Sequence, residues 1–333
     1  MMNIKTYTTT LLLCFIAILG HSQEKINVLS SASMFADMAA NIGGDKITIR
    51  SIVPIGADPH LYDPSPSDVN RVLDADVILV NGLTFEGWIK KLIKNSGTKA
   101  LLKTITEGIK PIASEDYDNA SDPHAWMNAE NGLTYVDNIL QVLVKASPEN
   151  EAYFKANHAR YRAEVKEVHE YMKKAMLAIP EKQRVLITSH DAFAYYGRAY
   201  GLTLNAIKGI STEEETQTSD IIRVSRVIKE TGVKAIFIES TINPKMIQQI
   251  AADNNVTVGG ELYADSLGPK GSEGETYIKM LKHNTDVIVN ALSKNQNSTT
   301  KIDSETQGTS LWIYLALGLV MFLALGLLVS KFK

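Results

Sequence analysis

Cysteine is almost absent from this chain of 333 residues, since Cys14 is the only one. It lies inside the apolar run "LLLCFIAILG" at 11–20, where it is a poor candidate for lipid attachment. A lysine precedes this run, and the small residues Gly20 and Ser22 follow it, which indicates a secretory signal peptide over residues 1–22. The mature chain therefore has no disulfide and no thiolate ligand for a metal.

Several signatures of other functions are also missing. The 34 basic and 37 acidic residues nearly balance, so the charge predicts no nucleic-acid partner. There is no HExxH zinc motif, and "GPKGSEGE" at 268–275 lacks the Gly-Lys-Ser/Thr ending of a nucleotide loop. "SHD" at 189–191 cannot form a catalytic triad, because three adjacent residues do not reach the required geometry. The acidic "TEEE" at 212–215 is expected to be a solvated loop.

The C-terminus carries a long apolar run, "LWIYLALGLVMFLALGLLV", over residues 311–329. This run is long enough to cross a bilayer, and we predict a transmembrane helix over residues 311–330. Lysines follow it, so its C-terminal end is predicted to be cytoplasmic. The preceding polar residues 293–310 are expected to form a flexible tether. The protein would then be exported to the periplasm or cell surface and anchored to the cytoplasmic membrane.

The body of the chain alternates short apolar strands with amphipathic helices. Strands are predicted at 25–31, 46–53, 76–82, 184–189, 202–207, 234–240 and 256–262, and helices near 33–42, 66–74 and 84–95. This alternation is typical of an α/β fold with parallel sheets. The strands fall into two sets, which predicts an N-terminal lobe over residues 23–147 and a C-terminal lobe over residues 181–292.

A segment without glycine or proline, residues 149–179, separates the two sets of strands. Its apolar residues recur at spacings of three, four and seven, as on one face of a helix. Pro148 and Pro180 bound it. We therefore predict one long helix over residues 148–180 that joins the two α/β lobes.

Three histidines and one aspartate lie at the predicted ends of elements. His60 lies in the loop "PIGADPHLYDPSPSD", where four prolines exclude a helix or a central strand. His124 lies in "SDPHAWMN", whereas His190 and Asp265 each follow a strand, at the edge of a parallel sheet where ligands commonly bind. Three imidazoles and a carboxylate can form the first shell of a transition metal. Their distant positions in the sequence also fit four unrelated loop residues.

Five segments of the body resemble the zinc- and manganese-binding solute-binding proteins of ABC transporters, a family that includes TroA-like proteins and the so-called metal-binding adhesins. They are "GADPHLYDPSPSD", "DPHAWM", "TSHDAFAYYGRAYGL", "IFIES" and "GGELYADSLG…GETYIKML". The resemblance implies two α/β lobes joined by one long helix, with the metal enclosed between them. It places the metal ligands at His60, His124, His190 and Asp265. Some manganese-selective members have glutamate at the position of His190.

The chain departs from this family at two places. Many zinc-specific members have a histidine- and acid-rich loop before the second ligand, whereas "IASEDYDNASDPH" here is acidic but has no histidine except His124. Members are commonly anchored by an N-terminal lipid, whereas this chain is predicted to use its C-terminal helix. Asp58, Asp122 and Asp191 lie within two residues of the proposed ligands, where carboxylates can orient metal-bound imidazoles.

The sequence therefore predicts a monomeric binding protein, not an enzyme, that captures Zn²⁺ or Mn²⁺ and delivers it to an ABC permease in the cytoplasmic membrane. Three imidazoles favour Zn²⁺ over Mn²⁺. The alternative is a membrane-anchored metallohydrolase that uses the same four residues. It requires an open coordination position and a general base, for which the sequence offers no good candidate. The adhesin role in the family name has no physical support in the sequence.

Overall fold

The computed structural model of the protein describes residues 24–113, 121–213 and 215–293. The first part builds a parallel sheet of four strands in the order β2-β1-β3-β4. These strands are β1 (Ile26–Ser30), β2 (Ile47–Ser51), β3 (Val77–Val80) and β4 (Leu101–Thr104). The helices are α1 (Ser33–Gly43), α2 (Pro66–Leu73), α3 (Ile89–Ser96) and α4 (Ala129–Ala146).

Helices cover both faces of this sheet. Along β3, Val77 and Leu79 belong to one apolar core, whereas Ile78 and Val80 belong to a second core on the opposite face. Successive side chains of a strand point to opposite faces, so a continuous apolar strand requires cover on both sides. This explains why the central strands contain runs of valine, isoleucine and leucine without polar alternation.

The second part of the described chain contains two pairs of parallel strands that lie next to each other. The strands are β5 (Val185–Thr188), β6 (Thr203–Ala206), β7 (Ala235–Glu239) and β8 (Thr257–Leu262), and β5 contacts β7. The helices are α6 (Ala194–Tyr200), α7 (Thr218–Thr231), α8 (Lys245–Asp253) and α9 (Tyr277–Ser293). The predicted α/β fold with two lobes is confirmed.

The long helix α5 (Glu151–Met176) lies between the two parts of the chain. Its 26 residues span about 39 Å at the usual rise per residue. It contacts α1 and α4 of the first lobe and α6 and α9 of the second. Its buried side chains repeat at helical spacing: Phe154, Tyr161, Val165, Val168, Met172 and Met176. The helix is shorter at both ends than predicted, because Pro148–Asn150 forms a separate 3-10 turn and the helix ends before Pro180.

The third helix also begins later than predicted, at Ile89 instead of near residue 84. Gly82, Leu83 and Thr84 all have positive φ angles. Such left-handed backbone cannot start a right-handed helix. The predicted domain limits, at residues 23–147, 148–180 and 181–292, remain predictions.

The predicted signal peptide (1–22) and transmembrane helix (311–330) lie outside the described residues, as does the predicted tether (293–310) except for Ser293. Among the described residues, no helix combines the length and the apolar character needed to cross a membrane.

Candidate metal centre

His60 is held by the proline-rich loop that precedes α2. Its backbone N–H donates to Oδ1 of Asp58 at 2.9 Å, and the indole N–H of Trp88 donates to the carbonyl of Pro59 at 2.9 Å. The loop ends in a capping box at α2, where Asp68 accepts from the backbone of Ser65. Prolines fix φ along this loop, and these bonds fix its remaining freedom. The loop therefore presents the His60 ring in one pose.

His124 is held by a carboxylate directly behind it. Oδ1 of Asp122 accepts from the backbone N–H of His124 at 2.8 Å and lies 2.8 Å from its ring Nδ1. Trp126 lies in the short 3-10 helix that follows. Its indole N–H donates at 3.0 Å to the carbonyl of Ala264, the residue before Asp265. This bond joins the segments that carry His124 and Asp265, which belong to different lobes.

His190 lies just beyond β5, beside the last residue of β7, Glu239. The Glu239 carboxylate accepts from the backbone N–H of His190 at 2.9 Å and lies 2.6 Å from its ring Nδ1. Both residues are buried. The carboxyl ends of neighbouring parallel strands meet at one edge of a sheet, which brings the two together. With Nδ1 beside Glu239, the other ring nitrogen, Nε2, faces Asp265 at 3.0 Å.

The four predicted ligands converge between the lobes. One donor atom from each of His60, His124, His190 and Asp265 lies within 4.8 Å of the other three. The Asp265 carboxylate lies 3.0 Å from Nε2 of His190, 3.3 Å from Nε2 of His124 and 3.7 Å from Nε2 of His60. The Nε2 atoms of His60 and His124 are 3.3 Å apart.

These separations fit a tetrahedral metal ion. Bonds of about 2.0–2.2 Å to zinc place tetrahedral ligand atoms roughly 3.3–3.6 Å apart. Among the described residues, neither oxygen of Asp265 has a hydrogen-bond partner of acceptable geometry, although both are buried. Buried carboxylate oxygens normally have such partners. Both oxygens are therefore available to bind a cation placed between them and the imidazole nitrogens.

Burial and charge shift the pKa values of this cluster in different directions. Burial lowers the pKa of His60 to about 3. Burial acts in the same sense on His124, but the carboxylates of Asp265 and Asp122 outweigh it and raise the pKa to about 9. For His190, Glu239 and Asp265 likewise outweigh burial and hold the pKa well above its usual range. Burial opposes the ionised form of Asp265, yet His190 and His124 hold its pKa well below the usual value.

The three neighbouring aspartates have different environments. Asp122 contacts the ring of His124, as the sequence suggested. Asp58 contacts the backbone of His60 and not its imidazole. Asp191 donates its backbone N–H to the carbonyl of Gly209 at 3.2 Å.

Sequence reasoning missed Glu239 as a site residue. The available signal was an acidic residue at the end of the buried strand "AIFIE", next to the strand that leads to His190. The expectation of a solvated loop at 212–215 was wrong for Thr212, which is buried and donates its hydroxyl to Oδ2 of Asp58 at 2.6 Å. That bond links the loop to the first lobe.

No triad forms at "SHD". The two ring nitrogens of His190 face Glu239 and Asp265, and the Ser189 hydroxyl has no hydrogen-bond partner among the described residues. Two α/β lobes that enclose a cluster of four ligands for one cation define the class of proteins that bind and release a small solute.

Comparison with known proteins agrees with this class. Residues 28–291 match the family profile described as zinc-uptake complex component A, periplasmic (ZnuA). The chain is 36% identical over 271 residues to the manganese-binding lipoprotein MntA of Halalkalibacterium halodurans, covering 81% of this chain and 90% of that protein. It is 34% identical over 282 residues to the manganese ABC transporter substrate-binding lipoprotein PsaA of Streptococcus pneumoniae, covering 82% and 91%.

A solved structure shows the same fold. The periplasmic zinc-binding protein TroA from Treponema pallidum superposes with a TM-score of 0.78 at 30% identity, covering 81% of this chain and all of that one. The chain therefore belongs to the ZnuA/TroA-like family. It is a metal-binding, substrate-binding component of an ABC transporter and not an enzyme, and the metallohydrolase alternative has no support.

Proposed function

We propose that the protein captures one divalent cation at His60, His124, His190 and Asp265 and delivers it to a permease. The convergence of one donor atom from each residue within 4.8 Å carries this proposal. The first two ligands come from one lobe and the last two from the other, so the cation itself links the lobes. Four protein ligands complete a tetrahedral shell and leave no open position for a reactive water.

We propose Zn²⁺ as the preferred cation over Mn²⁺. Imidazole nitrogen suits zinc, whereas manganese prefers carboxylate and water oxygens, of which this shell contains one carboxylate. Related proteins are named for both metals: TroA for zinc, and MntA and PsaA for manganese. Zinc also binds more tightly than manganese to most sites of a given geometry.

We propose that the body acts outside the cytoplasmic membrane as a monomer. The family description is periplasmic and the relatives are named lipoproteins, which supports an extracytoplasmic site of action. For this chain we propose anchoring by the apolar run at 311–329, because its only cysteine lies within the predicted signal peptide. The permease in the same membrane would be the partner that receives the cation.

Removing one ligand tests the site. His60→Ala should weaken Zn²⁺ binding by about 100-fold or more, beyond what loss of a supporting residue usually costs. Binding is measured by competition against a zinc chelator and folding by circular dichroism, which should not change because His60 lies in a loop. His283→Ala is the matched control, since this histidine of α9 bonds the carbonyl of Glu261, away from the site. Binding by His60→Ala at the strength of the natural chain would remove His60 from the site.

A further inference from the structure

The cluster is closed to solvent on nearly every side. His124 and His190 are 0% exposed and Asp265 is 1% exposed, whereas His60 is 9% exposed. A cation cannot reach or leave the four donor atoms unless the protein opens locally. Since His60 is the most exposed of the four ligands, opening on its side requires the smallest movement of the protein.

Two neighbouring cavities, which share Ile207, Lys208 and Thr216 in their walls, are lined by residues close to the ligands in the sequence. The larger, about 810 Å³, is lined by Asp122. Asp122 contacts Nδ1 of His124, whereas Nε2 faces the other ligands, so this cavity lies behind the ring. The smaller, about 420 Å³, is lined by Leu61 and Ser189, which lie next to His60 and His190 in the sequence, and by Asp58 and Thr212. The smaller cavity therefore lies on the side from which a cation would enter.

One hydrogen bond crosses from lobe to lobe at this cavity. Asp58 belongs to the loop of His60, and Thr212 to the segment that follows β6 in the second lobe. Oδ2 of Asp58 accepts the Thr212 hydroxyl at 2.6 Å, while Oδ1 of the same carboxylate accepts the backbone N–H of His60 at 2.9 Å. The Thr212 side chain is buried, and Lys208 donates to its carbonyl at 2.8 Å. A single carboxylate thus connects a ligand of one lobe to the other lobe.

We propose that the Asp58–Thr212 hydrogen bond is the gate of the metal site, and that Thr212 sets how fast the cation exchanges. This inference rests on the proposed function. The hydrogen bonds of Thr212 go to Asp58 and Lys208 and not to a ligand, so its role is to hold the lobes closed and not to bind the cation. A neutral donor bonded to a carboxylate is among the stronger hydrogen bonds of proteins, which suits a contact that must hold and then break.

A second contact keeps the lobes together when this gate is lost. The Ser266 hydroxyl accepts the backbone N–H of Gly56 at 2.7 Å, on the same loop as Asp58. Removing the Thr212 hydroxyl therefore raises the open population without separating the lobes.

The test compares exchange rates in full-length protein loaded with Zn²⁺. Thr212→Val removes the hydroxyl and keeps the branched shape. We expect its Zn²⁺ dissociation rate, followed by stopped flow into excess chelator, to rise about tenfold, the effect of losing one charge-assisted hydrogen bond. The association rate should also rise, because the same bond must break before a cation can enter the closed site. The dissociation constant should therefore change less than the dissociation rate.

Three further variants make the result specific. Thr212→Ser keeps the hydroxyl and should exchange at the natural rate, while Thr212→Ala should behave as Thr212→Val does. Thr203→Val, at an exposed position of β6, controls for the change of residue type. The proposal is overturned if the Zn²⁺ dissociation rate of Thr212→Val is within twofold of that of the natural chain. It is also overturned if this variant releases Zn²⁺ faster but binds it more slowly. Failure of the natural chain to bind Zn²⁺ through His60 would instead overturn the proposed function.

Discussion

At the scale of single residues, protons and the cation compete for the same nitrogens. His124 lies between Asp122 and Asp265, and its pKa is raised to about 9, while the pKa of His190 is also raised by its two carboxylates. Both rings are therefore imidazolium cations, protonated at both nitrogens, at neutral pH when no metal is bound. Because only a neutral imidazole binds a metal, the cation must displace these protons.

This competition predicts a strong pH dependence of binding. A raised pKa means that the competing proton is lost only as the pH approaches about 9. The apparent affinity for Zn²⁺ should thus keep rising above pH 7.5, by roughly tenfold or more per pH unit, whereas ordinary histidines would level off there. Chelator competition across this range measures it. Asp122→Asn should move the rise to lower pH, and a flat profile above pH 7.5 in the natural chain would contradict the prediction.

The ligands could be found from the sequence because His60, His190 and Asp265 lie at ends of strands or in a rigid loop. Their convergence could not be derived from their spacing, since it depends on how two lobes pack. Glu239 was missed for the same reason: its partner, His190, follows a different strand, and only the contact between β5 and β7 makes them neighbours. The resemblance to a known family supplied the geometry that the spacing lacked.

At the scale of elements, the packing of the long helix against α4 and α9 supports the segments that carry the ligands. Gly132 of α4 faces α5 and α9, and a Cβ atom there would lie 2.6 Å from the hydroxyl of Tyr277. That hydroxyl donates to the carbonyl of Trp126 at 2.6 Å, and Trp126 in turn bonds the segment of Asp265. Close packing of three helices at this glycine therefore supports the two segments that carry His124 and Asp265.

Gly132→Ala should reduce the free energy of unfolding by about 1–2 kcal/mol. Alanine stabilises a helix interior by roughly 1 kcal/mol relative to glycine. The destabilisation from the clash with the buried, hydrogen-bonded Tyr277 exceeds this gain. Urea unfolding of the metal-free protein measures the change. Gly87→Ala is the matched control, because a Cβ there meets no atom within 4 Å, and it should be nearly neutral. Equal stability of the two variants would mean that the helices can separate at little cost.

Most elements were predicted from their patterns, but one strand and one helix of the first lobe were not. The strand β4 has the sequence "LLKT" and was missed, because four residues at a sheet edge carry too little alternation. The helix α4 was also missed, although its apolar residues follow helical spacing over Ala129–Ala146. The long helix α5 was predicted because its apolar stripe is sustained and no glycine or proline interrupts it.

At the scale of the whole molecule, one apolar core runs through both lobes. It includes β1 of the first lobe, the long helix, and β7 of the second. Such a shared core favours local opening at the mouth of the site over a wide swing of the lobes. The body can then exchange its cation while it remains near a permease.

The anchor can be tested by cell fractionation and by protease treatment of spheroplasts. If residues 311–330 span the membrane, the full-length protein should partition with the cytoplasmic membrane, and a chain that ends at Ser293 should be released in soluble form. Protease added to spheroplasts should free the body, because the lysines after the span favour a cytoplasmic C-terminus. Survival of the body in that experiment, or an unchanged location of the shortened chain, would contradict the anchor.

The most direct test of the metal centre is X-ray absorption at the zinc edge of the loaded protein. Coordination by His60, His124, His190 and Asp265 predicts four nitrogen or oxygen ligands at about 2.0–2.2 Å, with the multiple-scattering pattern of three imidazoles. His60→Ala should lose one imidazole from this pattern. A first shell of five or six ligands, or one with a single imidazole in the natural chain, would contradict the account.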